Sequence, residues 1–364
     1  MDKQNTQLRH INGLKGLACL MVMFGHFIGL YKYAESFPTS SRFLQIFDTF
    51  LDSKLNFIID ESFWVILFFF VSGYLVSISK IPDIKNFFFK SFSRFLRLGL
   101  PILTACAIIF IIQKTIGFHN SETVSIFESS FIQKPYSDNF SFWQVIKSPI
   151  DVLFLKKTAF CSPYWVLREM FITSVTIYFF SFLKHKINNT LFVALWGTAL
   201  FASMIVSYVI FAGLLGMTLN FVQYDKDKHF IENKLFLFFT LSFCLSLFFI
   251  SRSCIASIFF GALVLITPKI NFFNVIFSYK LAQFINTISF GIYSFHWPVF
   301  CSFGMLALIK TYESIGLFAS FVLSSLVATI VTIVISILYY FFIEKRIYKA
   351  LKVFDALWKK KTIK

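Results

Sequence analysis

Read for hydrophobic and polar positions, the chain alternates long apolar runs with short polar interruptions. Apolar runs fall at 11–31, 62–80, 95–117, 162–183, 190–221, 234–250, 253–268, 283–309 and 315–343. Most are long enough to cross a hydrocarbon core of about 30 Å as helices. The pattern predicts an all-α fold, a polytopic bundle of transmembrane helices. The run 190–221 is about 48 Å long as a helix, more than one span needs. It reads as one oversized helix or as two short ones turning near Ser203 to Ser207. Two helices there bring the total to ten and both termini to the same side, which is the count expected here.

Composition agrees with that pattern. Of 364 residues, 57% are hydrophobic and 14% charged, and 54 are phenylalanine, with a mean hydropathy of +0.73. A soluble fold of this size needs far more polar surface. The net charge of +16 would suit nucleic acid, but its distribution excludes that partner. Basic residues gather in Lys80 to Arg97, at Lys184 and Lys186, and in the tail from Lys345 to Lys364. The segment from Ala34 to Glu61 instead carries Glu35, Asp48, Asp52, Asp60 and Glu61. By the positive-inside rule the basic ends face the cytoplasm, as do both termini. Residues 1–345 form the transmembrane domain and 346–364 a basic cytoplasmic tail that meets anionic lipid. Two outer loops are long, and the one after the third run is read as a folded cap. The six cysteines show no CxxC pair, so neither a disulfide framework nor a metal site is expected.

Ionisable residues at membrane depth are costly and point inward, so they are the first functional candidates. They are Lys15, His26, Lys114, Arg168, Glu169 and His296. Lys15 and His26 are eleven residues apart, which puts them on one helix face with about 16 Å between them along the axis. Counted from the ends of their runs, His26, Glu169 and His296 lie at one level, about 20 Å above the inner face. Each also has a plainer reading: Lys15 snorkels, His26 satisfies an interhelical hydrogen bond, and Arg168 with Glu169 is an ion pair that orients helices. Arg94 and Arg97 sit three apart on one helix face. They serve either as positive-inside anchors or as a bidentate phosphate clamp.

Five segments, in order, resemble the acyltransferase-3 family of membrane O-acyltransferases. INGLKGLACLMVMFGHF resembles the opening motif in which a basic residue precedes a histidine by eleven positions, giving Lys15 and His26. FFFVSGYLVS resembles the Ser-Gly-aromatic signature, giving Ser72, Gly73 and Tyr74. KSFSRFLRLGLP gives Arg94, Arg97 and Pro101, and YWVLREMF gives Trp165 and Glu169. ISFGIYSFHWPVF gives Ser289, Tyr293, His296 and Pro298. The resemblance runs from residue 9 to about 345. Lysine stands at Lys15 where arginine is commoner, and Asn12 where many relatives carry aspartate. The hydrolase-like domain fused to some relatives is absent, so a hand-off partner would be a separate protein.

The resemblance implies transfer of an acyl group, usually acetyl, from cytoplasmic acyl-coenzyme A to a hydroxyl of a cell-surface glycan or its lipid-linked precursor. The setting would be the inner membrane, with no metal. His26, Glu169 and His296 would be catalytic. Lys15, Arg94 and Arg97 would hold the donor, while Ser72, Tyr74, Trp165, Arg168 and Tyr293 would line the substrate site. Two other classes stay open on the residues alone: a flippase of a lipid-linked sugar, and a non-catalytic partner in glycan assembly. Nothing in the loops names the acceptor or the oligomeric state.

Overall fold

The computed structural model describes residues 3–32, 49–53, 56, 59–127, 136, 139–222, 257–262 and 277–362. The acidic segment and the runs at 234–250 and 253–268 lie largely or wholly outside those residues. All regular structure among the described residues is helical. The helices are α1 (Lys3–Lys32), α2 (Glu61–Ser77), α3 (Ile84–Thr115), α4 (Phe142–Leu153), α5 (Trp165–Leu183), α6 (Asn189–Val206) and α7 (Tyr208–Val222). They continue with α8 (Lys280–Thr287), α9 (Ser289–Val299), α10 (Met305–Ile315), α11 (Leu317–Tyr339) and α12 (Lys345–Thr362). Among the described residues, six stretches are long and apolar enough to cross a membrane, and two shorter apolar helices accompany them, Glu61–Ser77 and Tyr208–Thr218. The protein is therefore a multi-pass membrane protein.

The helix limits follow from local chemistry. The long 190–221 run breaks at Ser207, which is extended (φ −162, ψ 113) between α6 and α7. Asn188 caps α6 by accepting from the Leu191 amide at 2.8 Å. At the start of α3, Asp83 accepts from the Asn86 amide at 2.7 Å, and these bonds to the anion hold its carboxyl below the usual carboxylate range. The run expected at 283–309 instead divides at Ile288 and continues as helix to Ile315, where Gly316 at φ +80 stops it. Pro298 withdraws one amide from that helix, and a π-helical turn, Phe300–Gly304, follows. A second π turn, Tyr340–Glu344, joins α11 to α12.

The chain divides into two compact units, and α1, α3, α5 and α8 each contain a boundary between them. The first unit comprises Met1–Val22, Lys54–Arg94 and Glu169–Asn286. There α2 and α7 touch backbone to backbone. A Cβ on Gly73 would meet the Gly213 carbonyl oxygen at 1.9 Å, and one on Gly216 would meet that of Phe70 at 2.0 Å. Small residues permit this approach where no hydrophobic drive exists between helices. Ile177, Phe180, Phe192, Trp196, Leu214 and Met217 fill the layer among α5, α6 and α7, and the Trp196 indole N–H donates to Thr218 at 3.0 Å.

The second unit comprises Met23–Ser53, Phe95–Arg168 and Thr287–Lys364. Here α9 and α11 run antiparallel. Gly291 lies against Ser336 and Gly304 against Ser324, whose hydroxyl donates to the Gly304 carbonyl at 2.7 Å. The loop read as an outer cap behaves differently. The Phe140 amide donates to Gln113, Pro149 packs at Gly99, and the Phe154 ring lies 5.8 Å from that of Phe95. The segment therefore descends along α3 toward its basic end. The chain then returns, since Tyr136 donates to the Phe160 carbonyl at 3.0 Å and the Phe140 and Phe160 rings are 4.2 Å apart. One face of α4 is buried through Val145, Ser148 and Val152, while Phe142, Trp143, Ile146 and Ile150 face outward. Gln144 and Lys147 share that outward face, with Lys147 Nζ 5.0 Å over the Trp143 ring.

Candidate functional site

The second unit joins two of the sequence candidates directly. His26 on α1 lies with its Nδ1 2.9 Å from Nε2 of His296 on α9. Their rings are parallel within 3°, with centroids 5.0 Å apart. That separation is the hydrogen bond plus the short reach from each ring centre to its nitrogen, so the imidazoles lie edge to edge in one plane rather than face to face. His296 is fully buried, and its Nδ1 is 3.0 Å from the Ile292 carbonyl oxygen. A carbonyl only accepts, so His296 Nδ1 carries the proton and neutral His296 offers Nε2 as an acceptor. His26 Nδ1–H then donates to it. Nε2 of His26 keeps a lone pair, and the ring is half-buried rather than sealed.

Aromatic residues enclose the pair. The Trp297 ring meets His26 at 5.9 Å edge-on, and Tyr293 lies 6.2 Å from His296. The Tyr293 hydroxyl donates to the Pro163 carbonyl, which ties α9 to the short 3-10 turn Ser162–Tyr164 before α5. Trp165 and Arg168, at the start of α5, are half-buried in the same unit. A short helical turn and a proline thus bring Trp165 and Tyr293 into one neighbourhood, although 128 positions separate them in the chain.

At the basic end of this unit the Arg97 guanidinium pairs with Asp355 of α12. One turn further along α3, the Tyr339 hydroxyl of α11 bridges Thr104 Oγ1 at 2.9 Å and the Pro101 carbonyl at 3.0 Å. A second acid, Glu344, is 2% exposed. The sequence singled out none of Tyr339, Glu344 or Asp355. Glu344 stands directly before the lysine-rich tail and reads there as one more surface charge.

The first unit holds the remaining candidates. Lys15 Nζ lies 4.9 Å over the Phe68 ring of α2, a cation–π contact. Gly13 and Gly16, beside it on α1, allow the backbones of Phe277 and Asn286 to approach closely. Ser72 and Tyr74 are buried on either side of Gly73, so the Ser-Gly-aromatic signature includes the glycine that lets α2 meet α7. Arg94 is half-buried, and Glu169 is buried at 5% exposure. Lys114, which belongs to the second unit, is exposed beside the Phe110 ring.

This geometry can do proton-transfer chemistry. An imidazole with one nitrogen fixed as donor and the other free is an oriented base. A family model described as an acyltransferase domain, Acyl_transf_3, matches residues 8–341. That is most of the chain, and both imidazoles fall within it: the protein belongs to the acyltransferase-3 family. It is a membrane acyltransferase. No curated protein and no solved structure matches it.

Proposed function

We propose that this acyltransferase moves an acyl group, in the simplest case acetyl, from cytoplasmic acyl-coenzyme A to a hydroxyl of a cell-surface glycan or its lipid-linked precursor, in the inner membrane. The observation that carries the reading is the His26–His296 pair, with His26 Nε2 left without a hydrogen-bond partner among the described residues, inside the spans of a family acyltransferase.

A sugar hydroxyl is a poor nucleophile at neutral pH, and a base with a pKa near neutrality removes that obstacle. His26 Nε2 takes the hydroxyl proton as the oxygen attacks the thioester carbonyl carbon. The tetrahedral intermediate expels the thiolate, which recovers a proton from His26. His296 holds the tautomer throughout and shares the charge of the transient imidazolium through Nε2. Glu169 is assigned to handling the acceptor. Lys15, Arg94 and Arg97 are assigned to the donor's phosphates, for which guanidinium geometry is apt. Ser72, Tyr74, Trp165, Arg168 and Tyr293 are assigned to lining the path of the substrates.

The test is acyl transfer by purified protein from labelled acetyl-coenzyme A, joined to mass spectrometry of surface glycans with and without the gene. Label on a glycan, lost in His26→Ala, meets the proposal. A His26→Ala protein that inserts normally and acylates at the wild-type rate overturns the assignment. Protein that never consumes acetyl-coenzyme A points to a flippase instead.

A further inference from the structure

Glu344 is the buried acid among the described residues of the second unit, and the mechanism above leaves it unused. Its carboxylate is 2% exposed, and its Oε2 is buried with no hydrogen-bond partner. The Tyr348 hydroxyl, one turn on, bonds the carboxylate. No ion pair with Glu344 occurs among the described residues. A buried carboxylate left half-satisfied is a liability to the fold, so stability does not account for it.

The backbone around Glu344 is also irregular. It closes the π turn Tyr340–Glu344, and such turns recur at functional positions because they rotate one residue out of the helical register. Ties to α3 flank that turn on both sides: the Tyr339 hydroxyl at Pro101 and Thr104 just before it, and the Asp355–Arg97 pair in α12 beyond it.

Its position can be read from the neighbouring helices. The contacts Gly291–Ser336 and Gly304–Ser324 fix the antiparallel register of α9 and α11, which sets Thr332 level with His296. Glu344 is a further twelve residues toward the basic end, about 18 Å on at the helical rise. That is the reach of an extended pantetheine arm measured from its thioester toward its pyrophosphate.

We infer that Glu344 is a donor-binding residue, its Oε2 accepting a hydrogen bond from the hydroxyl of the pantetheine arm near the pyrophosphate. The inference rests on the acyl-coenzyme A reading above and adds a contact to it. A carboxylate accepts from a hydroxyl and repels a bare phosphate, so it selects the arm rather than the phosphates that Arg97 is assigned to hold.

The experiment uses the full-length protein and two donors: acetyl-coenzyme A, and the acetyl thioester of N-acetylcysteamine, which lacks that hydroxyl and the phosphates. Glu344→Leu should raise KM for acetyl-coenzyme A about tenfold, leave KM for the short thioester unchanged, and leave the Tm of the free protein equal to wild type or higher. Glu344→Gln, which retains an acceptor of the same shape, should fall between wild type and Glu344→Leu. An unchanged KM for acetyl-coenzyme A in both variants overturns the inference and leaves the acyltransferase reading intact. Equal losses with both donors, or a lowered Tm in both variants, assign Glu344 to structure and overturn it as well. Wild-type protein that uses neither donor overturns the acyl-coenzyme A reading itself, and the inference with it.

Discussion

His26 Nδ1 and His296 Nε2 meet at 2.9 Å in coplanar rings, although 270 positions separate them. The Ile292 carbonyl fixes the far end of this chain. Every orientation in it follows from the single fact that a carbonyl oxygen cannot donate.

The two imidazoles are therefore unequal under mutation. His26→Ala removes the base and should lower kcat by roughly 10²–10⁴. His296→Ala removes a bond to a transiently charged ring, worth roughly 1.5–3 kcal/mol, and should cost about 10–100-fold. His296→Gln presents a carbonyl oxygen to His26 Nδ1–H and should recover part of that loss. Single-turnover rates on membrane-inserted variants check the ranking, and a His296→Gln no more active than His296→Ala would remove the acceptor role assigned to His296.

Arg97 is held by Asp355, the one acid within α12, at 44% and 18% side-chain exposure. If Arg97 serves donor phosphates, Asp355 competes with them. Charge reversal at Arg97 should raise KM for acetyl-coenzyme A roughly tenfold with little change in kcat. Asp355→Asn should lower KM by about 1.5- to 5-fold, the modest scale of an exposed pair. Steady-state kinetics on both variants decide it, and an unmoved KM in each returns Arg97 to anchoring.

The α2–α7 contact makes a prediction about stability. A Cβ at Gly73 meets backbone at 1.9 Å, whereas one at Gly197 meets nothing within 4 Å. Gly73→Ala should destabilise by about 1–3 kcal/mol, because neither backbone can yield. Gly197→Ala should be neutral or slightly stabilising, since alanine is the better helix former. Thermal unfolding of the two proteins in the same detergent measures the contrast.

Asp83 carries a pH dependence. Its carboxyl is held low by the Asn86 amide, so the folded state favours the anion. The sign follows: this stabilisation is present above the ordinary value of 3.8 and is lost as pH falls through the lower folded value. The Tm advantage of wild type over Asp83→Ala should be full near neutral pH and shrink on acidification. An advantage that grows on acidification would contradict the capping role.

Much of this was legible in the chain. The apolar runs give the helices, because a segment of that length and composition has no other stable state in hydrocarbon. The surplus length of the 190–221 run signals a break, and the structure breaks it at Ser207. Depth counting put His26 and His296 at one level but could not say that they touch. It also took the span of His296 to begin near Gln283, whereas the helix begins at Ser289, where Ile288 leaves the helical conformation.

Other features had no linear signal. The stretch between the runs 95–117 and 162–183 reads as an outer loop because it holds no apolar run long enough to cross, yet its helix α4 folds back along α3. Glu344 is hidden by the lysines that follow it. The sequence alone determined the helices and their membrane character and named candidate residues for the chemistry, since hydrophobicity and residue type are local properties. Only the tertiary structure decided which nitrogen of His26 is free, which cation is already paired and which carboxylate is left wanting a partner. Hydrogen bonds and burial are made between segments, and no segment contains both halves of such a contact.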